Sequence, residues 1–290
     1  MFAPSFDYYR AKSVADACDL LRKNPRAKLL AGGHSLIPLL KLRLASPTAL
    51  IDIGRIAELR GITVKDGVVR IGALTTHAEI AASAAVRDNC PALAEAAQMI
   101  GDPAVRNRGT IGGNIAHADP ASDLPTVLTA LGARFVISSD GQSKTSDAAS
   151  FFTGIMATAL GDNDLLVAVE VPVTKPGQGQ AYVKFSHPAS RYAVIGVAAV
   201  VTVANNKCSG ARVAIGGLLP HARRAQAVEK ALTGSALDAA SIASAAAKLS
   251  DDLGNDVDGD IFASAEYRAA VAPVYVKRAV AAAAARAGLA

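Results

Sequence analysis

The sequence predicts an α+β protein of two domains, because three patterns follow one another along the chain. Over residues 1–176, short apolar strands alternate with amphipathic helical segments. The run Pro172–Gln180, PVTKPGQGQ, then breaks both periodicities, as proline and glycine do between domains. Beyond it, three apolar strands precede several helices, which is typical of a small antiparallel sheet covered by helices. We therefore predict domains at 1–176 and 177–290.

The first 53 residues predict a small α/β unit. Phe6–Tyr9 predicts a short edge strand, and Ser13 is a suitable cap for a helix whose apolar residues recur at helical spacing. Lys28–Leu30 predicts a buried strand that leads into a glycine pair. A helical segment at 38–44 and a core strand at 48–53 complete this unit.

Residues 62–171 predict a second α/β unit. The segments 62–64 and 68–71 flank Asp66-Gly67, a strong hairpin signal. Thr75 or Thr76 is expected to cap a helix that ends at Ala82. Further helices are predicted at 91–99 and 124–131, and further strands at 133–138 and 165–171.

The second domain is predicted to hold a three-stranded antiparallel sheet and helices. The strands fall at 181–185, 192–204 and 207–216, with a turn at Asn205-Asn206 between the last two. The helices are predicted at 221–232, 237–249 and 263–286.

Composition excludes several classes of protein. The 290 residues carry a net charge of +5, yet no run of lysine or arginine occurs, so we expect no nucleic-acid partner. The three cysteines are widely spaced and predict neither disulfides nor a metal or iron–sulfur site. The N-terminus lacks the layout of a signal peptide, and the apolar run 192–204 is shorter than the roughly 20 residues that span a bilayer. We expect a cytoplasmic protein that meets a membrane only through a partner, if at all.

Two glycine pairs are the main functional signals. The first glycine segment is Ala31-Gly32-Gly33-His34-Ser35-Leu36, and the second contains Thr110-Ile111-Gly112-Gly113-Asn114. Because glycine adopts positive φ without penalty, each pair is expected to form a turn that aims several backbone N–H groups at one point. That geometry suits a diphosphate, and Asp123 is a possible acceptor for a sugar hydroxyl. Together they predict a dinucleotide gripped from two sides.

The residues alone leave the dinucleotide open. NAD in a Rossmann unit is one alternative, but neither GxGxxG nor GxxxxGK[ST] occurs in the sequence. For either glycine pair alone, a purely structural turn is the other alternative.

Longer strings carry a resemblance. AGGHSLIPLLKLRLASPTALIDI at 31–53, IGALTTH at 71–77 and IGDPAVRNRGTIGGNIAHADPASDLP at 100–125 resemble the FAD-binding medium subunit of the molybdenum hydroxylases, most of all the carbon monoxide dehydrogenase type. The resemblance implies a two-lobed FAD-binding domain of the p-cresol methylhydroxylase type. It further implies a C-terminal domain similar to the flavoprotein C-terminal domain of that family, with FAD between the lobes and this domain.

The resemblance also implies a set of FAD-binding residues. They are Ala31, Gly32, Gly33, His34, Ser35 and Leu36 in the first segment, Thr110, Ile111, Gly112, Gly113 and Asn114 in the second, and Asp123, Leu166, Lys184 and Tyr192 further on. Lys184 would raise the flavin potential if it lies beside N1, and the alternative is a strand lysine that reaches solvent. Tyr192 would pack beside the isoalloxazine ring, or else serve a domain interface. His34 is expected near a non-covalently bound FAD, and no catalytic residue or metal ligand set is predicted.

The function implied is electron transfer within a complex. A large subunit would hold the molybdenum-pterin cofactor, a small subunit two 2Fe–2S clusters, and this chain the FAD that passes electrons to a quinone, a pyridine nucleotide or oxygen. The expected assembly is a dimer of three-subunit units. Two alternatives are a stand-alone FAD-dependent oxidase of the same fold and a non-catalytic FAD-binding assembly factor.

Overall fold

The N-terminal lobe is a three-stranded parallel sheet with two helices. A computed structural model describes residues 2–139 and 141–289. The elements of this lobe are β1 (Asp7–Arg10), α1 (Val14–Lys23), β2 (Lys28–Leu30), α2 (Leu36–Lys41) and β3 (Ala49–Asp52). The Ser13 side chain accepts a hydrogen bond from the amide of Asp16 and so caps α1, as predicted. The sheet order is β1-β3-β2, which puts the carboxyl ends of all three strands at one edge.

A second lobe contains a five-stranded sheet and most of the helices of the first domain. After a 3₁₀ turn at Ala57–Leu59, its elements are β4 (Ile62–Lys65), β5 (Val68–Gly72), α3 (His77–Ala82), α4 (Ala84–Asn89), α5 (Pro91–Met99), α6 (Pro103–Arg106), α7 (Ile111–His117), α8 (Asp123–Leu131), β6 (Arg134–Ser139), β7 (Gln142–Asp147), α9 (Ala148–Phe151), β8 (Phe152–Gly154), β9 (Ala157–Thr158) and β10 (Leu165–Pro172). The order is β4-β5-β10-β6-β7, with antiparallel neighbours.

The β4–β5 hairpin confirms its turn signal. Asp66 and Gly67 both have positive φ, 50° and 73°, as a two-residue turn between twisted strands requires. Thr76, rather than Thr75, caps α3, and Glu79 completes a capping box. The prediction missed α4, α6, α7, α9 and the strands β7, β8 and β9.

The C-terminal domain differs from the predicted three-stranded sheet by one short strand. Its elements are β11 (Gln178–Ser186), β12 (Ala193–Ala204), β13 (Lys207–Gly216), β14 (Arg223–Arg224), α10 (Gln226–Leu232), α11 (Ala239–Ala247), α12 (Leu249–Leu253) and α13 (Ala265–Arg286). The sheet is antiparallel in the order β11-β12-β13-β14. The helix predicted from His221 begins at Gln226, because Arg223 and Arg224 pair with β13 instead. Asn205 and Asn206 form the predicted turn, both with positive φ.

The long apolar run of the sequence is a strand buried on both faces. Along β12, Val197, Ala199 and Val201 pack into a core shared with α10, α11 and α13. Ala198 and Val200 point the other way, into a core that contains α5 and α8 of the first domain. Because successive side chains alternate, one strand belongs to both cores, and the C-terminal sheet lies directly on helices of the first domain.

Within residues 2–139 and 141–289, no helix is long and apolar enough to cross a membrane. The same residues contain no cluster of three or more His, Cys, Asp or Glu side chains arranged to hold a metal ion.

Candidate functional site

A cleft of about 540 Å³ opens at the carboxyl edge of the parallel sheet. Arg10 ends β1, Ala31 follows β2 and Asp52 ends β3, so all three strands deliver residues to one wall. Arg108 and Thr110 lie on the opposite wall, which the second lobe provides. Ligands of open α/β sheets bind at such carboxyl ends, which makes this cleft the leading candidate site.

The first glycine segment borders this cleft and contains amides without acceptors. Gly32 and Gly33 line it, and Gly33 has a φ of +74°, which favours glycine. Within the described part of the chain, none of the backbone N–H groups of Gly33, His34, Ser35 and Leu36 donates a hydrogen bond. A bound anion would satisfy several of these donors together.

Gly32 also fixes the distance between the two walls. A Cβ atom built on Gly32 would lie 2.0 Å from the carbonyl oxygen of Arg108 and 3.3 Å from Cα of Gly109. The first segment therefore touches the two residues directly before the second segment, backbone against backbone, as expected for two parts of one site.

The second glycine segment is not the turn that the sequence predicted. Thr110 caps α7, and Gly112 and Gly113 lie in its first turn without positive φ, so the expectation of left-handed glycines there was wrong. A Cβ on Gly112 would lie 2.6 Å from the Cβ of Ala73, so this glycine permits a close helix contact.

The amides of this segment already have acceptors. Ile111 and Gly112 donate to the carbonyl oxygens of Thr75 (3.0 Å) and Ala73 (2.9 Å). Gly113 donates to the Thr110 hydroxyl oxygen at 3.1 Å. The second segment thus supplies a wall and a capped helix end rather than a set of open donors.

A buried histidine, His77, packs against Gly109, the residue directly before the second segment. The amide of His77 donates to the carbonyl of Gly109, and a Cβ on Gly109 would lie 2.8 Å from the His77 ring. Only 3% of His77 is exposed, and its Nδ1 atom has no hydrogen-bond partner among the described residues. Burial, together with the nearby charge of His34, lowers the pKa of His77 to about 4. His77 is therefore neutral near pH 7.

Asp123 and Lys184 form a buried ion pair. Asp123 is the first residue of α8, and its Oδ2 atom lies 2.9 Å from Nζ of Lys184 on β11. The two side chains are 5% and 1% exposed. Tyr182, two residues before Lys184, donates its hydroxyl to Oδ1 of Asp123 at 2.5 Å. Burial raises the pKa of Asp123, against the opposing effects of Lys184 and Tyr182.

The predicted residues divide between two neighbouring regions. Ala31, Gly32, Gly33 and Thr110 line the cleft. Asn114 exchanges hydrogen bonds with Ser122, the residue before Asp123, and so links α7 to the ion pair. Tyr192 is 44% exposed, and partial burial with the charges of Asp119 and Asp123 raises its pKa.

The remaining predicted residues lie outside the cleft lining. Leu166 is 6% exposed and belongs to the same core as Ile111 and Ile115. His34 is exposed at the loop, while Ser35 and Leu36 begin α2.

Sequence reasoning missed four charged residues that line the cleft: Arg10, Asp52, Arg55 and Arg60. Arg108, beside the second segment, lines it as well. Asp52 accepts hydrogen bonds from the Tyr8 hydroxyl (2.5 Å) and the Gly54 amide. Arg55 and Arg108 form no ion pair within the described residues. Arg10, Asp52 and Arg55 lie at or just after the ends of predicted strands, and this position was the available signal.

Comparisons with known proteins cover almost the whole chain. Residues 4–174 match the family described as the FAD binding domain in molybdopterin dehydrogenase, and residues 180–283 match the CO dehydrogenase flavoprotein C-terminal domain. The chain is 42% identical to the carbon monoxide dehydrogenase medium chain of Hydrogenophaga pseudoflava, over 99% of each chain. It is 35% identical to the nicotine 6-hydroxylase medium subunit of Paenarthrobacter nicotinovorans, over 99% of this chain and 100% of that one.

Solved structures agree in fold. Carbon monoxide dehydrogenase of H. pseudoflava, in a form that lacks the Mo-pyranopterin moiety, gives a TM-score of 0.94 at 42% identity, covering 99% of both chains. Quinoline 2-oxidoreductase of Pseudomonas putida 86 gives a TM-score of 0.93 at 31% identity, again covering 99% of both chains.

Proposed function

Because this chain belongs to the family of FAD-binding medium subunits of the molybdenum hydroxylases, we propose that it binds FAD between its glycine segments and passes electrons from partner subunits to an external acceptor. The observation that carries this proposal is the match to a medium chain at 42% identity over 99% of both sequences. The relatives are parts of multi-subunit enzymes, which favours a subunit over a stand-alone oxidase or an assembly factor.

The cleft fits the diphosphate of FAD. Within the described part of the chain, four consecutive N–H groups of the first glycine segment have no acceptor, and Arg55 and Arg108, which line the cleft, form no ion pair. Backbone donors converging on one point and guanidinium groups are the groups that bind phosphates in proteins. We assign the binding of the diphosphate to the first segment and Arg108. Thr110, which caps α7, keeps the N-terminus of that helix next to the diphosphate.

We retain the full predicted set as the FAD site. It comprises Ala31, Gly32, Gly33, His34, Ser35, Leu36, Thr110, Ile111, Gly112, Gly113, Asn114, Asp123, Leu166, Lys184 and Tyr192. Bound FAD would accept electrons one at a time and pass them on in pairs. In this proposal, Asp123 keeps a negative charge next to Lys184, which reduces the net positive field that Lys184 alone would exert on a flavin.

Domain limits and assembly complete the proposal. We assign residues 1–176 to FAD binding and 177–290 to the C-terminal domain. The partners are a large molybdenum-pterin subunit and a small subunit with 2Fe–2S clusters, joined as a dimer of heterotrimers in the cytoplasm. Similar chains serve enzymes named for carbon monoxide, nicotine and quinoline, so we place substrate binding on the large subunit.

The test uses the complex purified with its partner subunits. We expect one FAD per copy of this chain, released into the supernatant by acid precipitation because the bond is non-covalent. Arg108→Gln should weaken FAD by about 1 kcal/mol, as expected for one exposed charge-assisted contact. Lys65→Gln, on the exposed β4 strand, is the matched control. A complex without flavin, or yellow colour that stays in the acid pellet, would contradict the proposal.

A further inference from the structure

Tyr182 is a buried polar side chain that the proposed FAD site does not use. It lies on β11 two residues before Lys184, so the two side chains share the face of the strand that meets the N-terminus of α8. The residue is 3% exposed, and its hydroxyl donates to Asp123 at 2.5 Å. Asp123 thus receives one donor on each oxygen, both from a single strand of the C-terminal domain.

The position of this hydroxyl is fixed by its surroundings. Gly196 lies beside it on β12, where a Cβ atom would come within 2.7 Å of the phenol oxygen. The amide of Tyr182 donates to Glu95 on α5. The fold therefore leaves space for a tyrosine hydroxyl here and holds its backbone against the first domain.

The backbone and a side-chain hydrogen bond link Asp123 to the cleft. Asp123 follows Ser122, which exchanges hydrogen bonds with Asn114 at 2.7 and 2.9 Å. Asn114 lies in α7, whose capping residue Thr110 lines the cleft. A continuous path thus runs from the C-terminal sheet through the carboxylate to the helix that walls the cleft.

We propose that Tyr182 is a positioning residue that orients Asp123 between Lys184 and α7, so that docking of the C-terminal sheet and binding of FAD reinforce each other. This inference rests on the proposed FAD site. Without the phenol, one buried carboxylate oxygen lacks a donor, and such an atom is costly to bury. The carboxyl group then takes up a proton more readily, and Lys184 loses its counter-ion.

Two strands bring charged or titratable groups to Asp123. Lys184 and Tyr182 contact it from β11, and the charge of Asp123 raises the pKa of Tyr192, the residue directly before β12. Of these, the Tyr182 and Lys184 hydrogen bonds and the charge of Lys184 all favour the ionised carboxylate.

The test compares Tyr182→Phe with Tyr275→Phe in the full-length chain. Tyr275 stacks on Phe185, and its hydroxyl makes no hydrogen bond within residues 2–139 and 141–289, so the control removes the same atom without losing a contact. FAD is titrated into each stripped chain across a range of pH. We expect Tyr182→Phe to bind FAD about tenfold more weakly. The pH at which FAD is released should rise by about one unit, because the carboxylate has lost a stabilising donor.

A second variant separates positioning from general destabilisation. In Asp123→Asn, which has no carboxylate to orient, adding Tyr182→Phe should leave the pH of FAD release unchanged. Unaltered FAD affinity in Tyr182→Phe, or an equal shift in Tyr275→Phe, would overturn this inference while the proposed function stands. A wild-type chain that binds no FAD would overturn both.

Discussion

The two glycine segments are alike in sequence and different in use. In the first, Gly33 takes a left-handed φ and the following amides remain without acceptors in the described chain. In the second, Gly112 and Gly113 are helical, and their amides bond to Ala73 and Thr110. A glycine pair therefore indicates either conformational freedom or close packing, and only the neighbouring backbone decides which.

This difference assigns separate tasks to the two walls of the cleft. The first segment provides donors for a ligand, and the second provides a rigid surface fixed by hydrogen bonds to residues 73–77. The walls meet where Gly32 approaches the carbonyl of Arg108. Substitutions in each wall should therefore affect ligand binding and folding to different extents.

The largest effect is expected where the two walls touch. Gly32→Ala puts a Cβ atom 2.0 Å from the Arg108 carbonyl oxygen, and since both partners are backbone, the segments must separate. We expect a loss of about 3 kcal/mol in the free energy of unfolding, and no bound FAD. Denaturant midpoints and flavin absorbance measure the two effects.

The control is Gly210→Ala on β13, where an added Cβ meets nothing within 4 Å. It should retain FAD and change stability by less than about 1 kcal/mol. Wild-type FAD content in Gly32→Ala would show that the close approach of the walls is not needed for binding.

A second comparison lies within the second segment. Gly112→Ala meets Ala73 at 2.6 Å and should lower the free energy of unfolding by about 2 kcal/mol. Gly113 is exposed, and a Cβ added there would lie 2.9 Å from the Thr110 hydroxyl oxygen and 4.0 Å from the Cβ of Ala31. Alanine favours the helix over glycine by about 1 kcal/mol, and in Gly113→Ala this gain should offset the cost of the close contact with Thr110. Thermal unfolding of the two variants side by side gives the difference, and equal destabilisation would contradict the packing role of Gly112.

Local signals in the sequence were enough for much of the fold. Ser13 at a helix start and Asp66-Gly67 between alternating strands specify their structures within a few residues. The strand β7 was missed because it is polar and mostly exposed, so it carries no apolar periodicity. The strand β14 was missed because its two residues are extended only through pairing with β13.

The lining of the cleft was predictable in part. Glycine pairs are local patterns, so Ala31, Gly32, Gly33 and Thr110, which line it, were among the predicted residues. Asp123 was predicted as a hydroxyl acceptor and the family resemblance added Lys184, and as FAD-binding residues both stay predictions. Arg10 and Asp52 come from strands far apart in sequence and meet because parallel strands end at one edge. Tyr182 gave no signal, since its role depends on a carboxylate 59 positions away.

Acid should weaken the second wall before the first. His77 has a pKa of about 4 in the folded chain, below its ordinary value of 6.5, so folding disfavours its proton. Protonation of His77 therefore does not affect the free energy of unfolding above about pH 6.5. Below that pH the free energy of unfolding falls until about pH 4, and at about pH 5.5 the loss is roughly 1.4 kcal/mol. His77→Phe keeps a ring against Gly109 without a proton site, and its free energy of unfolding should fall less over this interval.

His34→Gln should retain most of the wild-type fall, because burial is the larger cause of the His77 shift. Equal pH dependence in wild type and His77→Phe, measured by urea unfolding, would remove His77 as the acid-sensitive support of this wall.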